Sequence, residues 1–186
     1  EILQIKDKEA GALFFSGFAR VINACRKSPK IIIGRVQGKA VGGGVGLAAA
    51  VDYCLAAEAA SVKLSELAIG IGPFVISPAV TRKIGLSAFS ELTIRAVDFQ
   101  TAQWAMAKGL YNEIYADIHS LDEAVNTLAE KLASYHPGAL AGLKQILWEG
   151  TENWDELLNE RAAISGELVL SEFTQQALKR FKEGKK

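Results

Sequence analysis

The residues best suited to chemistry in this chain are a glycine triplet, Gly42, Gly43 and Gly44, and a glutamate farther on, Glu66. The triplet follows a strand-like apolar run (Ile31, Ile32, Ile33, Val36) and precedes an Ala-rich segment over 45–51. Glycines between a strand and a helix let backbone approach a ligand with no Cβ in the way. The first turn of the following helix leaves N–H groups unpaired, and its dipole favours negative charge there. Such a bend can hold an anion, or an oxygen that becomes one during a reaction. Taken alone, the glycines fit a tight turn with close helix packing equally well. Glu66 has Leu64, Leu67, Ala68 and Ile69 around it. A carboxylate among apolar groups has its pKa raised, which suits proton transfer near neutrality. Taken alone, Glu66 reads more simply as a surface or salt-bridged glutamate at a strand end.

The elements that must position these groups follow from the hydrophobic pattern. Leu13, Phe14, Phe18, Val21, Ile22 and Cys25 recur at helical spacing, so 11–26 is an amphipathic helix, ended by Ser28-Pro29. A buried strand is expected over 30–36, a short helix of small residues over 43–51, and short strands over 53–56 and 62–64. That order implies a parallel, right-handed crossover. Gly70, Gly72 and Pro73 mark a loop, and Gly85 separates helices over 78–84 and 88–96. Thr101 caps a helix that stops at Gly109, and 111–115 is a last strand. Beyond Asp117 the pattern turns helical, with a capping box at Ser120 and Glu123, Pro137 in a first turn, a cap at Asn153, and helix to about Phe181. The fold class is therefore α/β, with a core over 1–117 and a helical region over 118–186. Trp148, Trp154, Leu157, Leu158, Val169 and Leu170 in that region are expected to be exposed apolar residues that form oligomer contacts.

Composition narrows the function classes. Lys+Arg and Asp+Glu are both 21 in 186 residues, which gives a formal net charge of zero and argues against a nucleic-acid binder. Apolar residues at 49% suffice for a sizeable core. No apolar run reaches membrane-spanning length. Cys25 and Cys54 have no CxxC or Cys–His spacing, so no metal site is expected, and both are read as reduced thiols of a cytoplasmic protein. Ser16, Ser61 and Ser65 lack a G-x-S-x-G context. His119 and His136 lie far from the glycines, and Asp52 is expected to fix a turn by local hydrogen bonding. Arg82 and Lys83 are expected on a solvated face, and Trp104, Trp148 and Trp154 in the core or at subunit contacts.

The order GKAVGGGVGLAAAVDYCLAAEAASVKLSELAIGIGP, with the Gly85-Leu86-Ser87 turn and Thr101-Ala102-Gln103-Trp104-Ala105 leading to Lys108-Gly109-Leu110, resembles the active-site region of the crotonase family of enoyl-CoA hydratases and isomerases. The likeness runs from about Leu13 onward. It implies a spiral of stacked ββα units with a helical C-terminal region, assembled as a homo-trimer or homo-hexamer. It implies that Gly43 donates its N–H to a thioester oxygen and that Glu66 is the catalytic acid/base. It also places Gly46 where many hydratases carry a second glutamate, and Phe74 and Val75 in the region where dienoyl-CoA isomerases of the family carry a further acid. Family members have an N-terminal strand-rich section that supplies the other oxyanion donor and much of the CoA surface; residues 1–12 do not resemble it.

The resemblance thus implies an enzyme of acyl-CoA thioesters. CoA belongs to the substrate, and no cofactor is bound permanently. A single carboxylate suffices for a double-bond shift, since it can take a proton from one carbon and return it two carbons away. Hydration is harder with Glu66 alone but stays open. The alternative is a non-catalytic acyl-CoA-binding or assembly subunit, suggested by Gly46. No nucleic-acid or membrane partner is expected.

Overall fold

Helix α1 (Lys8–Lys27) starts where Asp7 accepts a hydrogen bond from the Ala10 N–H at 2.7 Å and ends at Ser28, before Pro29. It buries Gly11, Phe15, Ala19 and Ile22, not the full expected stripe: Leu13, Phe14 and Val21 are exposed and Phe18 and Cys25 half-buried, because the face that packs on α7 is turned toward Gly11 and Phe15. The computed structural model describes residues 2–184. Glu1, Lys185 and Lys186, the first residue of the 1–12 stretch and the last two of the 118–186 region, lie outside them.

After α1 come β1 (Ile33–Val36), β2 (Lys39–Val41), α2 (Gly43–Ala50), β3 (Tyr53–Ala57) and β4 (Ser61–Lys63). A 3₁₀ turn (Leu67–Ile69) leads to α3 (Ser77–Ile94), then β5 (Gln100–Thr101), α4 (Ala102–Ala107) and β6 (Glu113–Tyr115). Four helices complete the chain: α5 (Ile118–Ser134), α6 (Pro137–Leu147), α7 (Trp154–Leu168) and α8 (Glu172–Lys182). Two small sheets result. One is parallel, in the order β1-β3-β6, with Ile33 opposite Tyr53 and Leu55 opposite Glu113. The other, β2-β4-β5, pairs Ala40 with Val62 in parallel and Val62 with Gln100 antiparallel. The β1–α2–β3 passage is the parallel crossover expected from the pattern. Helix α3 contains a break at Gly85 (φ 76, ψ 161), so it is two helical pieces in one, as the sequence indicates.

Several local expectations are corrected. The strand over 30–36 is shorter, starting at Ile33, and only half-buried, because it lies at the edge of its sheet. Helix α5 is capped by Asp117, whose carboxylate accepts the Ser120 N–H at 2.8 Å, so Ser120 is inside the helix rather than its cap. Asn153 stands at the N-cap of α7 without a side-chain cap bond. Trp148, Trp154, Leu158 and Val169 are buried and Leu157 and Leu170 half-buried. They are core residues, because α7 packs along α1 and draws its apolar face inward. The exposed large apolar side chains of this region, among the described residues, include Tyr135, Ile146, Phe173 and Phe181. One buried cluster joins Phe15 and Ile22 of α1, Val45 of α2 and Leu158 and Ala162 of α7.

The α1–α7 crossing is set by two glycines. A Cβ on Gly11 would lie 2.6 Å from the Gly166 carbonyl oxygen, and one on Gly166 would lie 2.3 Å from the Ala12 nitrogen. Both obstacles are backbone, which cannot swing aside as a side chain can. Gly166→Ala must therefore separate the helices, and overpacking of this kind costs about 1–3 kcal/mol. A lowered urea midpoint is the expected result; an unchanged midpoint would show that the helices part freely.

Candidate active site

The triplet forms the bend that the sequence suggests. Gly42 adopts φ 55, ψ −118, a conformation open to glycine, and precedes the first turn of α2. Its N–H is tied to the Lys63 carbonyl at 2.9 Å, which joins the bend to β4. Its carbonyl accepts the Val45 and Gly46 N–H groups. The N–H groups of Gly43 and Gly44 find no acceptor among the described residues, as the first turn of a helix requires.

Glu66 sits where β4 gives way to the 3₁₀ turn, and its carbonyl accepts the Ile69 and Ile71 N–H groups, both at 3.1 Å. This backbone anchoring turns the carboxyl inward. A Cβ on Gly42 would lie 2.8 Å from Glu66 Oε1, so the acid touches the glycine bend and depends on the missing side chain. Glu66 Oε2 is buried and has no hydrogen-bond partner among the described residues. Burial pushes the carboxyl up to about 7, with the residue's own backbone N–H pulling the other way. Glu66 and Gly43 line one cavity of about 40 Å³, together with Phe15, Phe18, Ile76 and Ser165. The Phe18 ring rests on Gly43, its Cε1 lying 2.1 Å from where a Cβ would stand.

Gly46 is buried one turn farther along α2. A Cβ there would lie 2.4 Å from Cγ2 of Ile76. The space where the resemblance implies a second glutamate in many hydratases is thus occupied by a branched apolar side chain from the residue before α3. Phe74 and Val75 add no acid nearby.

Other candidates are elsewhere. Asp52 does more than shape a turn. Its carboxylate accepts the Ile32 N–H, both contacts from Lys144 Nζ (2.6 and 2.8 Å) and Trp148 Nε1 (2.7 Å), a long-range anchor between β3 and α6. Lys83 is not on a solvated face: it is half-buried and donates to the Asp52 carbonyl at 3.1 Å, and burial lowers its pKa. Arg82 is exposed, bonds to the Leu147 carbonyl and lies over the Trp148 ring. His119 meets Glu123 on the surface, and His136 caps α6 by accepting the Ala139 N–H. Cys25 and Cys54 are free thiols. Among the described residues no group of His, Cys, Asp or Glu could hold a metal ion, and no helix is long and apolar enough to cross a membrane. Ser165 on the cavity wall escaped the sequence reading. The only signal was its place on the buried face of a helix next to Gly166.

A family model described as enoyl-CoA hydratase/isomerase matches residues 2–186. The chain belongs to the enoyl-CoA hydratase/isomerase family. A relative named "Probable enoyl-CoA hydratase" from Bacillus subtilis (strain 168) is 29% identical over 188 residues, covering all of this chain and 72% of the relative. Carnitinyl-CoA dehydratase of Escherichia coli (strain K12) is 28% identical over 182 residues, covering 89% of this chain and 68% of the relative. A crystal structure of an enoyl-CoA hydratase from Mycobacterium avium superposes with a TM-score of 0.87 at 24% identity, over 96% of this chain and 70% of that one. That likeness bears out the α/β crotonase fold of this family member.

The raised Glu66 pKa has a sign for stability. In the unfolded chain the carboxyl returns to its ordinary value of 4.5, so the buried acid binds its proton more tightly when folded. Its contribution is fully present below pH 4.5 and is lost as pH rises through about 7. Glu66→Gln, neutral throughout, is expected to be more stable than the native protein at pH 8, with the gap closing as pH falls to 4.5. Urea midpoints across that range measure it, and a pH-independent gap would contradict the burial.

Proposed function

We propose that this protein acts on acyl-CoA thioesters through an oxyanion-stabilised enolate. Glu66 is the acid/base and the Gly43 N–H is one donor to the thioester oxygen. The observation that carries this reading is the meeting of an unpartnered buried carboxyl and a free helix-start amide on one cavity. Removing a proton beside a thioester carbonyl, or adding a nucleophile at the β carbon, places negative charge on that oxygen. A single oxyanion donor is worth roughly 3–4 kcal/mol in such a step. Glu66, held near neutrality by its apolar surroundings, can take and return the proton.

The reaction best supported is a double-bond shift in an enoyl-CoA, because it needs one carboxylate and Ile76 fills the space of a second. Hydration is the second reading, favoured by the names of the relatives. In both, CoA arrives as part of the substrate and no resident cofactor is needed. An acyl thioester is larger than the resting cavity, so its entry must turn the Phe18 ring away from Gly43. A non-catalytic acyl-CoA binder is the alternative that Gly46 supports. Assembly as a homo-trimer or homo-hexamer is part of the same reading, supported by exposed Leu143, Ile146 and Leu147 on α6 and Tyr135 just before it.

The test is a product assay on short 2-enoyl-CoA and 3-enoyl-CoA substrates. Glu66→Gln keeps the size of the side chain and removes its acid. Loss of general acid/base catalysis is worth about 10²–10⁴-fold, so kcat is expected to fall at least a hundredfold. Full activity in the variant would remove Glu66 from this role, and CoA binding without turnover in the native protein would favour the binder.

A further inference from the structure

Packing leaves three polar groups unpaired around the cavity between α1, α2 and α7. Two are the Gly43 N–H and Glu66 Oε2. The third is the hydroxyl of Ser165, a residue only 2% exposed that lines the same cavity. Several helical serines turn back onto their own helix or its start: Ser16 donates to the Leu13 carbonyl, Ser77 to Phe74 and Ser134 to Lys131, each at 2.7 Å, while Ser87 and Ser90, which do not, are exposed to solvent. Ser165 makes no such bond among the described residues, although Val169 uses its carbonyl in the ordinary helical way. The Gly11–Gly166 crossing holds it there, since it brings this turn of α7 against α1.

Buried polar groups in native proteins are paired with protein or with ordered water. A buried water needs on the order of 10–15 Å³ and two to four polar partners. The cavity, at about 40 Å³, offers that room and three partners.

We propose that Ser165 is a water-positioning residue: with Glu66 it holds the water that adds across a 2-enoyl thioester, so that the site hydrates with a single carboxylate. The inference rests on the enolate chemistry proposed above and deepens it. In the step, the water oxygen bonds to the β carbon while one of its protons passes to the Glu66 carboxylate. The C=C π electrons move toward the carbonyl, and the thioester oxygen becomes negative at the Gly43 N–H. Glu66 then gives its proton to the α carbon. One water is added across the double bond, Glu66 returns to its starting form, and nothing is oxidised or reduced. The Ser165 hydroxyl keeps its own proton and accepts a hydrogen bond from the water's second hydrogen. It takes over the orienting task for which Ile76 leaves no carboxylate space beside Gly46.

Moving the double bond of a 3-enoyl thioester passes a proton through Glu66 without any water, so Ser165 separates the two reactions. Losing one hydrogen bond in the hydration step is worth about tenfold. Ser165→Ala is therefore expected to lower kcat for hydration of a short 2-enoyl-CoA about tenfold or more, and to leave the 3-enoyl-CoA shift within about twofold. A high-resolution crystal structure of the unliganded native protein is expected to place a water within hydrogen-bond distance of both Ser165 Oγ and Glu66 Oε2. Equal losses in both reactions, no loss, no hydration by the native protein, or no water at that place would each overturn the role of Ser165. Those outcomes leave the enolate reading standing, whereas retention of both reactions by Glu66→Gln overturns that reading and the Ser165 role with it.

Discussion

The structure is organised around a helix that has almost no side chains on its contact faces. In α2 and at its N-cap, three glycine positions each receive a group from another element. The Glu66 carboxyl closes on Gly42, the Phe18 ring on Gly43 and the Ile76 side chain on Gly46, all at distances that a Cβ would forbid. Each contact joins a different part of the chain to the same two turns. The 3₁₀ turn after β4, helix α1 and the start of α3 are thus placed relative to one another by what α2 lacks. A methyl group at any of the three would force the opposing side chain out of its place. The gain is that a carboxyl and free amides come within one small cavity without any polar side chain on α2 itself.

The far end of the same helix is held by the opposite means. Asp52, just past α2, carries a buried charge whose partners are the Ile32 N–H just before β1, Lys144 of α6 and the Trp148 that ends α6. Lys144 and Asp52 are 3% and 2% exposed at their side chains. A buried pair of this kind adds little net stability over apolar packing, but loss of either partner strands a charge, at a cost of about 3–5 kcal/mol. The pair therefore acts as a constraint on register: α6 can dock in one position only. The chain from α6 onward then leads α7 back across α1, where Gly11 and Gly166 bring the backbones together. Fixing one end of α2 by charge and the other by bare glycine leaves the site between them little freedom.

Much of this was readable from residue types. The glycine bend, the break at Gly85 and the cap at Thr101 are local signals, carried by φ preference and capping chemistry. Period also gave helix α1, but not its inward face, since Leu13, Phe14 and Val21 are exposed and Phe15 and Ala19 are buried instead. The meeting of Glu66 with Gly42 and Gly43 was legible only through the family likeness, because nothing local aims a carboxyl. What escaped was non-local or short. Strands β2 and β5 span three and two residues, too few for a period to show. Trp148 and Trp154 read as core residues or as oligomer contacts, which sequence alone could not separate; they stack edge to face at 5.8 Å in the core. Asp52 gave no hint of a partner as far along the chain as Lys144. Ser165 was one small residue among several in AAISGEL, and only the crossing with α1 gives it a cavity.

The electrostatics of the site have a direction that follows from this burial. An ionised Glu66 has poor solvation, since one of its oxygens has no donor and burial raises its pKa to about 7. If Glu66 takes a proton from the substrate, its charge leaves a place that stabilises it badly. On the proposed reading the charge would reappear on the thioester oxygen, with the Gly43 N–H and the start of the α2 dipole as its partners. The same two turns of chain would then hold back the ground state and favour the enolate. A second carboxylate at position 46 would add negative charge next to both groups, raise the Glu66 pKa further and oppose the enolate. Ile76 in that place is therefore more than a filler. It keeps a second charge away from Glu66, and on the proposed reading it leaves that single acid to serve as both the base that starts the reaction and the acid that ends it.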